Sequence, residues 1–389
     1  MTGNGDRAYV ITGVTGFLGS HLMAHLLESG SRVLALGRPA DGKCLNERVG
    51  CLLEWFRIEG LSSRVEAYEI DFLRPGLGLG SSDYRKICRD EPVIIHCASD
   101  TRFSERYRQV SMETNVSSLS GIVRLARDSR SPFLHYISTA YVAGRSRAVS
   151  YEVPVNGRQF FNVYEETKSM AEKNIARMCS QEKVPYCIVR PSVVYGDSTT
   201  GRSNRFNALY YHVRSLKMIR DIYIADIRER SGAKADRVGI HLAPDGTLHM
   251  PLRIFLNGAG HVNLIPIDHF TAVMGKILEN ARSGYIYHIT DDEPKTTVEL
   301  AAYCEKFLSV RGIEIVYGDQ EGLLLTPPEE VFNNLARPYL PYLSDLRRFD
   351  RRNTREVTGG LKAPEMTYEV FARCMNYALS VSWGRTGFS

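Results

Sequence analysis

Residues 12–19 read Thr12-Gly13-Val14-Thr15-Gly16-Phe17-Leu18-Gly19. They follow a short apolar run, Ala8–Thr12, and precede a segment, 17–29, in which Leu18, Leu22, Leu26 and Leu27 recur at helical spacing. Strand, glycine turn and helix in that order predict a cradle for the phosphates of a dinucleotide. Gly13 permits the tight turn, Gly16 the close approach of a pyrophosphate, and Gly19 the contact of helix against strand. The first helical turn presents backbone N–H groups and the positive end of the helix dipole. Thr12, Thr15, Phe17 and Leu18 therefore join the three glycines as expected cofactor contacts. A glycine triplet alone also makes ordinary turns; its strand–turn–helix setting gives this one its meaning.

Outward from this turn, the first half of the chain alternates apolar strands with helical segments. Arg32–Gly37 and residues 64–71, 92–96, 133–138 and 186–190 read as strands, with helical patterning at 115–128 and 163–181. Such alternation predicts an α/β fold with a doubly wound parallel sheet, helices on both faces and ligands at the carboxyl ends of the strands. After about Asp197 the rhythm changes. A polar loop (198–207) leads into an Arg-rich helical stretch reaching about residue 237. Strand-like 262–267 and 285–290 then flank a helix near 270–281. The expected organisation is a nucleotide-binding domain over 1–200, rejoined by about 262–290. Residues 201–389 form a smaller C-terminal, mainly substrate-binding part.

The second strand ends in Leu36-Gly37-Arg38. A carboxylate here suits the ribose 2′-hydroxyl of NAD, whereas a guanidinium suits the 2′-phosphate of NADP. No carboxylate is present, so NADP(H) is the expected cofactor, with Arg38 and then Arg48 as phosphate contacts. Asp71 and Phe72, after the third strand, are placed to touch the adenine. Ala98 and Ser99, after the fourth, let the cofactor pass close to the backbone.

Tyr164-Glu165-Glu166-Thr167-Lys168 sets a tyrosine and a lysine four residues apart on one helix face. A free phenol, with a pKa near ~10, exchanges protons poorly at neutral pH. A nearby ammonium favours the phenolate, so Lys168 is expected to draw Tyr164 down towards the working range. The same lysine can bond the nicotinamide ribose. Ser138-Thr139 ends a strand 25 residues before Tyr164, and a hydroxyl there can share a substrate oxygen with the phenol.

The bulk numbers bound the remaining classes. With 389 residues, 43% hydrophobic and 24% charged, the chain has the make-up of a globular enzyme. No apolar run approaches the ~20 residues that span a bilayer. The short polar start lacks the features of a secretory signal, so a cytoplasmic location is expected. Eight scattered cysteines include no C-x-x-C pair, and His21 and His25 lack an H-E-x-x-H context, so no metal site is expected. Basic residues crowd 202–237, and again Arg347, Arg348, Arg351, Arg352 and Arg355. These read either as solvated helical faces or as a landing surface for a phosphate-bearing or acidic partner. No nucleic-acid-binding motif accompanies them.

Taken together, T-G-x-x-G-x-x-G, S-T-A-Y-V-A-G (138–144), Y-x-x-x-K and R-P-S-V-V-Y-G (190–196) resemble the extended short-chain dehydrogenase/reductase family over roughly residues 8–200. The resemblance implies a Rossmann-type fold and makes Thr139, rather than Ser138, the catalytic hydroxyl beside Tyr164 and Lys168. It implies that Asn115 supports the active site, and that Ser138, Pro191, Ser192 and Val193 line the cofactor. Within that family, L-x-R, N-V-Y-E-E-T-K-S-M-A-E, V-N-L-I-P-I-D (262–268) and Y-H-I-T (287–290) are most similar to fatty acyl-CoA reductases and thioester-reductase domains. The implied reaction is NADPH-dependent reduction of an acyl thioester, on CoA or an acidic acyl or peptidyl carrier protein, to an aldehyde or onward to an alcohol. The alternative is a dehydrogenase, epimerase or dehydratase of a nucleotide sugar or sterol-like alcohol on the same scaffold.

Overall fold

Seven strands pair into one sheet: β1 (Ala8–Thr12), β2 (Arg32–Gly37), β3 (Val65–Glu69), β4 (Val93–His96), β5 (Leu134–Ile137), β6 (Tyr186–Pro191) and β7 (Ile286–Ile289). The structure, a computed structural model, describes residues 7–145, 148–156, 159–318 and 322–384. The reading of the polar start falls mostly outside these. The strand order is β7-β6-β5-β4-β1-β2-β3, and every pair is parallel. Every residue of β1, β4 and β5 is buried. That is why they read as continuous apolar runs rather than alternating ones: helices cover both faces of the sheet. This is the doubly wound α/β architecture. Strand order reverses between β1 and β4, so their carboxyl ends, at Thr12 and His96, open the crevice where such sheets take ligands.

The chain divides into two compact units. One comprises Met1–Ser192, Ile267–Thr290 and Arg348–Lys362; the other comprises Val193–Pro266, Asp291–Arg347 and Ala363–Ser389. In the first, residues 267–290 contribute a helix, Ile267–Asn280, and the edge strand β7. The second return adds Arg348–Phe349, which pairs in parallel with Val149–Ser150. The second unit holds a three-stranded sheet of Val310–Tyr317, Leu248–Leu256 and His241–Leu242. Its core joins Val213, Leu216 and Ile219 of the Leu209–Glu229 helix to Met250, Leu252, Phe371 and Met375.

Two arginines of the 347–355 cluster depart from both readings of that cluster. Arg347 and Arg351 are each only 1% exposed, neither solvated nor available to a partner. Within the second unit, Arg347 forks onto Asp345, with Nε at 2.8 Å from Oδ1 and Nη2 at 2.7 Å from Oδ2. Within the first, Arg351 donates to the carbonyl of Leu361 at 3.0 Å. A guanidinium goes inside when such partners replace its water.

Candidate active site

The glycine turn is built by contacts that no side chain survives. Gly13 has φ +68°, and a Cβ on it would lie 2.6 Å from the Ala98 nitrogen. A Cβ on Gly19 would lie 2.3 Å from the Gly13 carbonyl oxygen. Backbone packs on backbone at both points, which brings the end of β4 against the turn after β1. Thr12 fastens the same junction: its hydroxyl shares a hydrogen bond with His96 Nδ1 at 2.7 Å and accepts the Ala98 amide at 3.3 Å. Burial pushes His96 down to about 3, so this imidazole stays neutral. The Phe17–Glu28 helix starts at Gly16, whose lack of a side-chain cap leaves the first-turn N–H groups, from Phe17 and Leu18 on, to an anion.

Arg48 ties the loop after β2 to this turn. Its guanidinium donates to Thr15 Oγ1 at 2.9 Å and to the Arg38 carbonyl at 2.8 Å. The Arg38 side chain itself is exposed at the end of β2. The Asp71 carboxylate is exposed, accepts the Leu73 amide at 3.0 Å and pairs with Arg74 at 3.2 Å. Phe72 meets the His96 ring edge-on, 6.0 Å between centroids. A dinucleotide fits this donor set: a glycine turn with no Cβ in the way, an uncapped helix start, and cations beyond β2.

Tyr164 and Lys168 lie on the Val163–Glu182 helix, whose N-cap Asn162 accepts the Glu165 amide at 3.0 Å. Thr139 caps the short turn after β5, accepting the Tyr141 amide at 3.3 Å. The structure brings Thr139 and Tyr164 together: the threonine hydroxyl lies close enough to the phenol to favour its ionised form. Tyr164 retains some exposure to solvent, yet desolvation dominates and pushes the phenol up to about 12. This is opposite to the lowering expected from Lys168. The lysine is 1% exposed, its Nζ donates to the Ile137 carbonyl at 2.6 Å, and burial draws its own pKa down to about 7. An ammonium poised to lose its proton near neutrality is a weak source of field.

Asn115 sits on a π-helical turn, Glu113–Ser117, a geometry recurrent at functional sites. Its side-chain oxygen accepts the Asp100 amide at 2.7 Å and the Ser99 hydroxyl at 3.0 Å. Its amide nitrogen donates to the Asp100 carbonyl at 2.9 Å and to Thr167 Oγ1 at 3.0 Å. Asn115 thus clamps the chain after β4 to the helix of Tyr164 without itself bonding Tyr164. Pro191 closes β6 and Ser192 follows it in the first unit, and Val193 opens the Val193–Tyr195 strand in the second.

Sequence reading missed three side chains here. Glu172, one helical turn beyond Lys168, accepts the Ser138 hydroxyl at 2.5 Å. Arg190, on β6, forks onto Glu172 at 2.9 and 2.6 Å. Phe103 stacks at a tilt on Tyr164, 6.2 Å between ring centroids. Two of them carried a signal: the spacing Tyr164, Lys168, Glu172 keeps one helix face, and Arg190 opens the R-P-S-V-V-Y-G motif.

The model of the male sterility protein family of NAD-binding domains matches residues 11–274. The chain belongs to this family. Among similar proteins, the hybrid PKS-NRPS synthetase pvhA of Talaromyces variabilis is 30% identical over 192 residues, 49% of this chain and 4% of that one. Fatty acyl-CoA reductase 1 of Pongo abelii is 28% identical over 223 residues, 48% of this chain and 42% of that one. This chain thus spans a small part of the synthetase and under half of the reductase. Among solved structures, the terminal R domain of the myxalamid PKS-NRPS pathway shares the fold at TM-score 0.76 and 20% identity, over 98% of this chain and 93% of that one. Membership of the male sterility family of NAD-binding domains supports a nicotinamide cofactor. It places the chain among the reductase-type extended short-chain dehydrogenases, beside acyl reductases and terminal reductase domains.

Proposed function

We propose that the chain is an NADPH-dependent reductase of an acyl thioester, carried by CoA or by an acyl or peptidyl carrier protein, with an aldehyde as first product. The observation that carries this reading is the Thr139–Tyr164 pair: two adjoining hydroxyls, one of them a phenol held protonated at neutral pH. A thioester carbonyl oxygen between them accepts from both, and the donors stabilise the negative charge that grows on oxygen as the carbon is reduced. NADPH, when bound, supplies the hydride. A phenol raised to about 12 suits the reductive direction, because the oxygen must gain a proton as the carbon gains hydride. The thiohemiacetal so formed breaks its C–S bond and releases thiol and aldehyde.

Asn115 and Lys168 are the supporting residues: one fixes the loop after β4, the other the end of β5. The preference for NADPH is supported by Arg38 at the position where NAD enzymes carry a carboxylate, with Arg48 holding that loop to the glycine turn. The second unit, which has its own core, is assigned the acyl group. The test is incubation with NADPH and acyl-CoA or acyl-carrier substrates, following NADPH oxidation and thiol release and separating aldehyde from alcohol. No NADPH consumption across a panel from acetyl to palmitoyl rejects the proposal. Isomerisation of a nucleotide sugar without net NADPH turnover favours the alternative.

A further inference from the structure

The chain's charge is unevenly placed. Residues 202–237 contain nine lysines and arginines against four acidic residues, an excess of five that equals the net charge of the whole chain; the other residues balance. The segment spans the Leu209–Glu229 helix and the short Ala233–Asp236 helix. One of its four carboxylates is withdrawn from the surface. Asp226 is 3% exposed and accepts the amides of Lys234 and Ala235 at 2.8 and 3.0 Å, fixing the turn between the helices. A second, Asp221, is shared between Lys217 and Arg220. Arg205, Arg228, Arg230, Lys234 and Arg237 are exposed.

The same helix leaves two large apolar side chains in water. Met218 and Ile222, four residues apart on one face, are 42% and 49% exposed, while Leu216, Ile219 and Tyr223 are buried in the core. Arg214 lies one helical turn before Met218, and Arg228 and Arg230 stand at the far end of the helix around an exposed Glu229. An apolar pair on a helix with this excess of cations is the complement of an acidic helical surface with an apolar spot. Charge steers the encounter and the apolar contact holds it.

We infer that this helix, with Met218 and Ile222 as its apolar contact and Arg214, Arg228 and Arg230 as its cations, docks an acidic carrier domain that presents the acyl-phosphopantetheine arm. The inference rests on the thioester-reductase reading and selects the carrier, rather than free CoA, as the bearer of the natural acyl group. The docking helix is not part of the catalytic set, so the two roles separate in kinetics.

The test compares two bearers of one acyl group: an acidic acyl carrier protein loaded through its phosphopantetheine arm, and the N-acetylcysteamine thioester, which has no protein surface. In the variants Met218→Asp and Arg214→Glu/Arg228→Glu, KM for the loaded carrier is expected to rise at least about tenfold. Turnover of the small thioester should stay within about twofold, which also reports that the variants fold. Raising salt should weaken wild-type use of the carrier and leave the small thioester unaffected. Unchanged carrier kinetics in both variants, or equal losses on both substrates, overturns the docking surface. Failure of the wild type on both substrates overturns the thioester reading itself.

Discussion

The Arg190 guanidinium and the Glu172 carboxylate form a forked pair away from solvent, at 2.9 and 2.6 Å, with side chains 0% and 6% exposed. Arg190 also donates to the carbonyls of Tyr151 and Val153 at 3.4 and 3.1 Å, and Glu172 accepts Ser138. One ion pair thereby joins the Tyr164 helix, the end of β5 and the loop before the site. Removing one partner leaves a buried charge alone, at a cost of about 3–5 kcal/mol. Arg190→Met should therefore lose most of that amount in urea unfolding. The double variant Arg190→Met/Glu172→Met should be no worse than either single one. Strictly additive losses would show that the pair is not coupled.

Tyr164→Phe removes the proton donor and leaves the ring against Phe103. We expect kcat for thioester reduction to fall about 10²–10⁴-fold, with NADPH affinity, read by nucleotide fluorescence, held within about twofold. Thr139→Val should cost about 10²–10³-fold, the loss of one donor to the developing oxyanion. A Tyr164→Phe enzyme with unchanged turnover would remove the phenol from the mechanism.

These expectations draw on what was legible in the chain and on what was not. The glycine turn was legible because its requirements are local: Gly13 and Gly19 answer to atoms within one strand–turn–helix unit and its neighbouring strand. The Tyr164–Lys168 spacing was legible because a helix fixes which residues share a face. The return of residues 348–362 to the first unit was not, since a two-residue strand carries no periodicity. Nor was the burial of Arg347 and Arg351, because a guanidinium's partners, a nearby carboxylate or a carbonyl ten residues on, are set by the fold. The phenol's pKa was misread for a related reason. Residue identities announce the ammonium, whereas desolvation depends on atoms contributed by the surrounding fold.

Lys168 gives a pH prediction. Its amine is drawn down to about 7 in the folded chain, while an unfolded chain holds lysine near its ordinary value of ~10.4. Between these values the unfolded state binds the additional proton, so this residue makes the fold more stable as pH rises from about 7 towards ~10. Below about 7 its contribution is flat, because both states are protonated. Lys168→Met should lack this rise, so wild type minus variant stability should increase across that window in urea melts. A difference that stays constant with pH would place the amine's titration outside it.

Arg38 should report on cofactor choice. An exposed guanidinium bonding a 2′-phosphate contributes roughly 1.5–3 kcal/mol, and NADH offers it no phosphate. Arg38→Ala should weaken NADPH binding by about 10–100-fold and leave NADH binding within about twofold. Equal losses for both cofactors would mean that Arg38 acts on the loop rather than on the phosphate.

Gly13→Ala tests whether the cradle is a backbone-to-backbone contact. The added carbon meets the Ala98 nitrogen at 2.6 Å and its Cα at 2.7 Å, at a residue whose φ of +68° already disfavours a side chain. Neither neighbour is a flexible side-chain end, so the turn must part from β4 to admit the methyl. That movement also strains the hydrogen bond from the Ala98 amide to Thr12. The variant should bind neither NADPH nor NADH measurably and should melt lower than wild type. Gly50→Ala, where a Cβ meets nothing within 4 Å inside a helix, should bind both normally and serves as the control. Normal cofactor binding by Gly13→Ala would mean that the dinucleotide does not lie over this turn.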